Sequence, residues 1–160
     1  MTENEPLGGS AVLPTKGRLL GLDYGTKRIG IAVSTVEQNI ASPLETYARR
    51  DSEADAGHLK ALAAEYSSVG LVVGLPVHMS GDEGQKANEA REFGRWVGDV
   101  TGLPVAYWDE RYTSALAEVH LMGAELSKKK RKARIDKLAA QFILQAYLDA
   151  EDRRRRPGPI

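Results

Sequence analysis

The sequence predicts an α/β domain built on one five-stranded mixed sheet flanked by helices. Three observations carry that prediction. Two apolar runs near the start are joined by the short turn Gly25-Thr26-Lys27-Arg28, as in an antiparallel hairpin. The second half alternates strand and helix periods, which implies parallel strands with right-handed crossovers. With 160 residues, 42% of them hydrophobic, the chain can bury one core but cannot fit two full lobes with a cleft between them.

The elements follow in order. Residues 1–16 hold Pro6, Gly8, Gly9 and Pro14 with no apolar period and read as a disordered leader to a domain spanning 17–151. Leu19 to Asp23 and Ile29 to Val33 are the hairpin strands, and Ser42 to Tyr47 is a third strand. From Ser52 the period becomes helical, with Leu59, Leu62, Ala63 and Tyr66 on one face. Val69 to Val73 is a continuous apolar run ended by Gly74 and Pro76, the pattern of a strand buried on both faces. Ser80-Gly81-Asp82-Glu83 fits a capping box opening a helix lined by Ala90, Phe93, Val97 and Val100 and stopped by Gly102 and Pro104. Val105 to Trp108 is the fifth strand, and Thr113 caps a helix running to about Met122 with Gly123 as terminator. Ile135, Leu138, Ala139, Phe142, Ile143 and Ala146 give the last helix its apolar stripe. Residues 152–160 are a basic, disordered tail that Pro157 keeps from continuing the helix.

Composition excludes several classes of function. The absence of cysteine removes disulfide scaffolds, thiolate zinc sites and cysteine nucleophiles. No apolar run approaches the ~20 residues of a membrane span, and the acidic, polar start is unlike a secretory signal, so a cytoplasmic protein with no membrane partner is expected. Charge cancels overall, yet unevenly: residues 1–110 carry 10 basic and 16 acidic side chains, and residues 111–160 carry 12 and 6. The positive charge concentrates in Lys128, Lys129, Lys130, Arg131, Lys132 and Arg134, and in Arg153 to Arg156. Such runs are commonly solvated; beside a nucleic-acid site they become phosphate contacts.

Three acidic positions stand in unusual places. Asp23 ends an apolar strand, where a carboxylate needs a cation or donors to meet it; a turn-forming role toward Gly25 is the plain alternative. Asp109 and Glu110 follow another strand, and adjacent residues point to opposite faces, so only one can share a site with Asp23. The strand period does not choose between them. Asp136 falls in the first turn of the expected last helix, where the helix dipole favours an acid. If carboxylates from these three places converge at the carboxyl ends of the strands, they repel one another unless cations neutralise them. Hard oxygen ligands suit Mg2+ or Mn2+, and paired ions of that kind drive phosphodiester hydrolysis without a protein nucleophile.

Four segments together carry a family resemblance: Leu22-Asp23-Tyr24-Gly25-Thr26-Lys27-Arg28-Ile29-Gly30, Gly74-Leu75-Pro76, Asp109-Glu110-Arg111-Tyr112-Thr113-Ser114 and Ile135-Asp136-Lys137-Leu138-Ala139-Ala140. In that order, over residues ~18 to ~150, they resemble the YqgF/RuvX family of bacterial pre-16S rRNA nucleases, also described as Holliday-junction-resolvase-like proteins. The resemblance implies a ribonuclease H-like fold and makes Asp23, Glu110 and Asp136 the catalytic, metal-holding acids, with Arg111 a positive neighbour toward substrate phosphate. One motif departs: Val77-His78-Met79-Ser80-Gly81 puts His78 and Ser80 where the family shows Asn and Asp, which questions any substrate contact from that loop. His78 reads as a solvated loop residue, His58 and His120 as structural or exposed, and Trp96 and Trp108 as packing residues.

The leading expectation is therefore a metal-dependent endonuclease acting on an rRNA precursor, with branched DNA as the alternative substrate, working as a monomer or weak dimer. Lys128 to Arg134 would contact phosphates beside Asp136. A catalytically silent nucleic-acid-binding module is the second reading. A phosphotransferase of the actin and sugar-kinase type ranks last, because closing over ATP needs a second lobe.

Overall fold

The computed structural model describes residues 10–113, 116 and 128–153, and the backbone alone of residues 128–135. The strands are β1 (Leu19–Asp23), β2 (Arg28–Ser34), β3 (Ala41–Ala48), β4 (Gly70–Leu75) and β5 (Val105–Asp109). The helices are α1 (Ser52–Glu65), α2 (Gln85–Thr101) and α3 (Lys128–Asp149), with a single 3-10 turn at Glu110–Tyr112. The sheet order is β3-β2-β1-β4-β5, with β1–β2 and β2–β3 antiparallel and β1–β4 and β4–β5 parallel. All five strands stand where the apolar runs predict them.

Side-chain alternation along the strands builds two cores. Leu20, Leu22, Ile29, Ile31, Leu71, Val73, Val105 and Tyr107 face Leu59, Phe93 and Val97 of α1 and α2. Leu19, Ala32, Val72, Ala106 and Trp108 face Ala140, Ile143, Leu144 and Tyr147 of α3. β1 and β4 are buried on both sides, which is why they read as unbroken apolar runs rather than alternating ones.

α3 lies unusually close to the sheet because glycines face it. A Cβ on Gly21 would sit 2.7 Å from the Leu144 Cβ, and a Cβ on Gly30 only 1.9 Å from the Asp136 carbonyl oxygen. Gly30 pairs across the hairpin with Asp23. The backbone of Asp136 therefore rests directly over the strand pair that carries Asp23.

Four expectations are corrected. Residues 10–13, expected in a loose leader, pack onto the domain: the Ala11 amide donates to the Val105 carbonyl along the edge of β5, the Tyr107 amide donates to the Ser10 hydroxyl, and Leu13 is buried. A three-residue burial pattern is too short to show periodicity, so composition alone made this segment look disordered. Arg153, read as part of the tail, is docked: it donates to the Gln38 side chain and the Leu148 carbonyl. Ser80 does not open α2, because its hydroxyl pairs with Asp82 two residues on and the helix starts at Gln85 after an extended Gly84. Asp136 is not in the first turn of its helix, since α3 begins at Lys128 and the basic run forms its opening turns. The dipole argument for Asp136 therefore lapses, as that effect fades beyond one turn. The helix expected from Thr113 to Met122, His120, residues 1–9 and Arg154 to Arg156 lie outside the described residues, apart from Thr113, which is buried, and Leu116, which is helical and buried.

Two glycine substitutions separate close approach from chain flexibility. Gly30→Ala should destabilise the fold by about 1–3 kcal/mol in urea unfolding, because the helix must shift to admit a methyl group. Gly57→Ala, in the exposed interior of α1 with open space around it, should stabilise it by ~0.5–1 kcal/mol.

Candidate active site

The three predicted acids converge on one face of the sheet at the carboxyl ends of β1, β4 and β5. On β1, Leu19 and Gly21 face α3, so Asp23 does too. On β4 the residue with that orientation is Gly74, which has no side chain to occupy the space. Glu110 fills it from the neighbouring strand end: a Cβ on Gly74 would stand 2.9 Å from its Oε2. Asp136 arrives from above through the Gly30 contact. Asp23, Glu110 and Gly74 line a cavity of about 330 Å³ together with Tyr24, Lys86 and Glu89.

The electrostatics are those of crowded acids. Burial, then the charges of Glu110 and Asp136, push the Asp23 carboxyl well above the usual carboxylate range. Burial, then Asp109, raises Glu110 to about 7, with Lys86 pulling the other way. Asp136 meets a cation of the protein itself, for the Arg28 Nε donates to its carboxylate at 2.9 Å. Among the described residues no three acids or histidines stand at metal-ligand spacing. The donor set is nonetheless a hard-oxygen one whose mutual repulsion a divalent cation would relieve, so these residues fit Mg2+ or Mn2+.

The ambiguity between Asp109 and Glu110 is resolved by partners. Asp109 is fully buried on the other face and takes three hydrogen bonds from the Arg111 side chain. Arg111 also donates to the Met79 carbonyl, and only 4% of its side chain is exposed. Its guanidinium ties Asp109 to the loop after β4 and stands next to Glu110 in the chain, the positively charged neighbour that the resemblance implied. His78 is exposed, as read, and Trp108 is buried with its indole N–H donated to Thr113. His58 is held by Glu45 and stacked on Tyr47. The backbone of Lys128, Lys129, Lys130, Arg131, Lys132 and Arg134 is helical and leads straight into Asp136.

Four residues escaped the sequence reading: Arg28, Lys86, Tyr24 and Glu89. Arg28 and Tyr24 lie inside the quoted first motif, where their position gave a signal that no role was attached to. Lys86 is one of few basic residues in an acidic stretch, and Glu89 follows it at helical spacing. Neither pattern identifies a site until the fold brings α2 over β1.

Folding raises Glu110 from 4.5 to about 7, so the folded chain keeps a proton that the unfolded chain has lost over that range. Wild-type stability should fall as pH rises through this window and then level off. In metal-free urea unfolding, Glu110→Gln should be more stable than wild type at pH ~8 by ~1–3 kcal/mol, with the gap closing toward pH ~4.5.

The RuvX family, described as Holliday junction resolvase, matches residues 17–150. A protein of Bradyrhizobium sp. (strain ORS 278), named "Putative pre-16S rRNA nuclease", is 46% identical over 145 residues, covering 91% of this chain and 90% of its own. A protein of the same name from Cereibacter sphaeroides (strain ATCC 17029) is 47% identical over 148 residues, 92% of each chain. Among solved structures, T. thermophilus RuvC in complex with Holliday junction substrate is similar at a TM-score of 0.50 and 19% identity, covering 82% of this chain and 94% of that one. That likeness is one of fold, and the fold is ribonuclease H-like, as the motifs implied. With the family match running from before β1 to the end of α3, and relatives this similar over nine-tenths of their length, the chain belongs to the RuvX family.

Proposed function

We propose that this protein is a cytoplasmic, metal-dependent endonuclease that hydrolyses phosphodiester bonds in precursor 16S rRNA. The observation that carries the reading is that Asp23 and Glu110, from separate elements, line one cavity at the strand ends, with Asp136 close enough for its charge to act on Asp23. Close relatives carry pre-16S rRNA nuclease names, and that supports RNA as the substrate. The family's description as Holliday junction resolvase supports four-way DNA junctions as the second candidate.

Asp23, Glu110 and Asp136 would hold the divalent ions. When bound, such ions supply Lewis-acid activation of water and neutralise charge on the leaving oxygen. The chain's own contributions are orientation and charge balance. Gly30 and Gly74 leave the space that lets carboxylates from different elements share one site. Arg28 balances the Asp136 charge, a role that a bound divalent cation would take over. Lys86 sits on the cavity wall, where it attracts substrate phosphate. The basic opening turns of α3 extend the same attraction along the substrate backbone.

Asp23→Asn should reduce metal-dependent cleavage of precursor rRNA at least ~100-fold while leaving the unfolding midpoint at or above that of wild type, since it removes a buried charge. Purified wild type and variant are compared on precursor rRNA and on four-way junctions, with Mg2+, with Mn2+ and with chelator. Undiminished cleavage by the variant would falsify the proposed chemistry; junction cleavage in preference to RNA would reassign the substrate.

A further inference from the structure

A second cavity, of about 270 Å³, adjoins the first and is not accounted for by hydrolysis. Tyr24 and Glu89 line both, so the two form one continuous cleft. Its lining brings Phe93, Trp96 and Glu92 of α2 together with Arg49 and Ser52 from the segment around the start of α1. The size is near the low end of small-ligand sites, ~300 Å³, which suits one nucleotide unit rather than a length of duplex.

The chemistry of the lining narrows the occupant. Arg49 is held in place by the protein: its Nε donates to the buried Asp55, one terminal nitrogen donates to the Gly25 carbonyl, and the guanidinium lies over the Tyr24 ring at 5.5 Å. Asp55 is in turn fixed by the Tyr47 hydroxyl and the Arg50 amide, so this wall is rigid. Phe93 braces Tyr24 from below, with ring centroids 4.9 Å apart, and Trp96 sits 6.0 Å from Phe93. Trp96 is half-buried and turned to the cavity, whereas the other tryptophan, Trp108, is wholly in the core. The remaining charges are the carboxylates of Glu89 and Glu92, which repel phosphate and accept hydrogen bonds. A flat, uncharged ring with N–H donors on its edge is complementary to an aromatic and acidic lining.

From this we infer that the cavity bounded by Tyr24, Trp96 and Arg49 is a nucleobase subsite for the single-stranded nucleotide next to the cleaved phosphate, selective for bases that carry an exocyclic amino group. Asp23 ends β1 and Tyr24 follows it directly, so Asp23 addresses the phosphate from the first cavity while Tyr24, which lines both cavities, addresses the base. Unstacked bases are recognised in this way, by aromatic stacking and edge hydrogen bonds. Guanine is favoured most, because its adjacent N1–H and amino group match the two oxygens of one carboxylate. Uracil offers no amino group to Glu89 or Glu92.

The inference rests on the nuclease reading, and a binding assay without metal separates the two. Fluorescently labelled single-stranded RNA pentamers, all-uridine or with one central guanosine, are titrated with the full-length protein in chelator and read by anisotropy. The guanosine pentamer should bind more tightly to wild type than the uridine one. Trp96→Ala should weaken its binding about 5- to 100-fold, and Trp96→Phe, which keeps a stacking ring, should retain most of it. Glu92→Gln should shrink the ratio of guanosine to uridine pentamer affinity, over and above any gain both pentamers share from the lost negative charge. Thermal unfolding of each variant identifies a loss that comes from misfolding, and Trp96→Phe and Glu92→Gln still decide the matter if Trp96→Ala does not fold. Equal binding of both pentamers by wild type, or a guanosine preference that survives in both Trp96→Ala and Glu92→Gln, overturns the subsite. Neither result touches the metal-dependent cleavage measured with Asp23→Asn, which fails or stands separately.

Discussion

Everything in the candidate site depends on how closely α3 can approach the sheet. Helix and sheet ordinarily keep the separation that side chains impose, and here two glycines remove the side chains at the points of contact. Gly21 admits Leu144 and Gly30 admits the backbone of Asp136. Because Gly30 is the cross-strand partner of Asp23, the same contact that packs the helix also sets the distance between two acids more than a hundred residues apart. Packing and site geometry are thus one constraint, and neither can be altered alone.

That constraint has an electrostatic consequence. Burial raises both Asp23 and Glu110, and the charges of Glu110 and Asp136 add to it at Asp23 while Asp109 adds to it at Glu110. The protein moderates this with Arg28 on Asp136 and Lys86 near Glu110, two cations drawn from different faces of the cleft. Such a site is poised to exchange its internal counter-charges for external ones. The adjacent Asp109 shows the opposite treatment: fully buried and bound by Arg111, it is a strut rather than a reactive group. Two neighbouring acids in one motif therefore have opposite surroundings, decided by which face of the sheet each one meets.

The cleft continues past Tyr24 into a region of different chemistry, where aromatic rings and carboxylates replace the crowded acids. A phosphate-attracting end beside a ring-accepting end is the layout of a site that reads nucleotides rather than charge alone. The relatives that share this chain's length and nearly half its residues bear names in RNA processing, where single-stranded segments flank structured ones.

Much of this was legible in the residues taken one after another. The five strands and the α2 and α3 stripes were readable because a residue's burial repeats with the period of its own element, and the motif order around Asp23, Glu110 and Asp136 marked the acids. The ordered segment at Ser10 to Leu13 was not readable, since its stability comes from the edge of β5 ninety residues away. The start of α2 was misread because Ser80 satisfied Asp82 instead of a helix end, a choice between two local partners that spacing cannot rank. Likewise Arg111 looked free in sequence and is tied down in space, and Arg28 looked incidental and meets Asp136 across 108 positions. Local order and the identity of the acids follow from the chain alone, because both depend on near neighbours and residue type. Which cation answers which acid, and which aromatic faces the cleft, was decided only when helices from distant parts of the chain settled on the sheet.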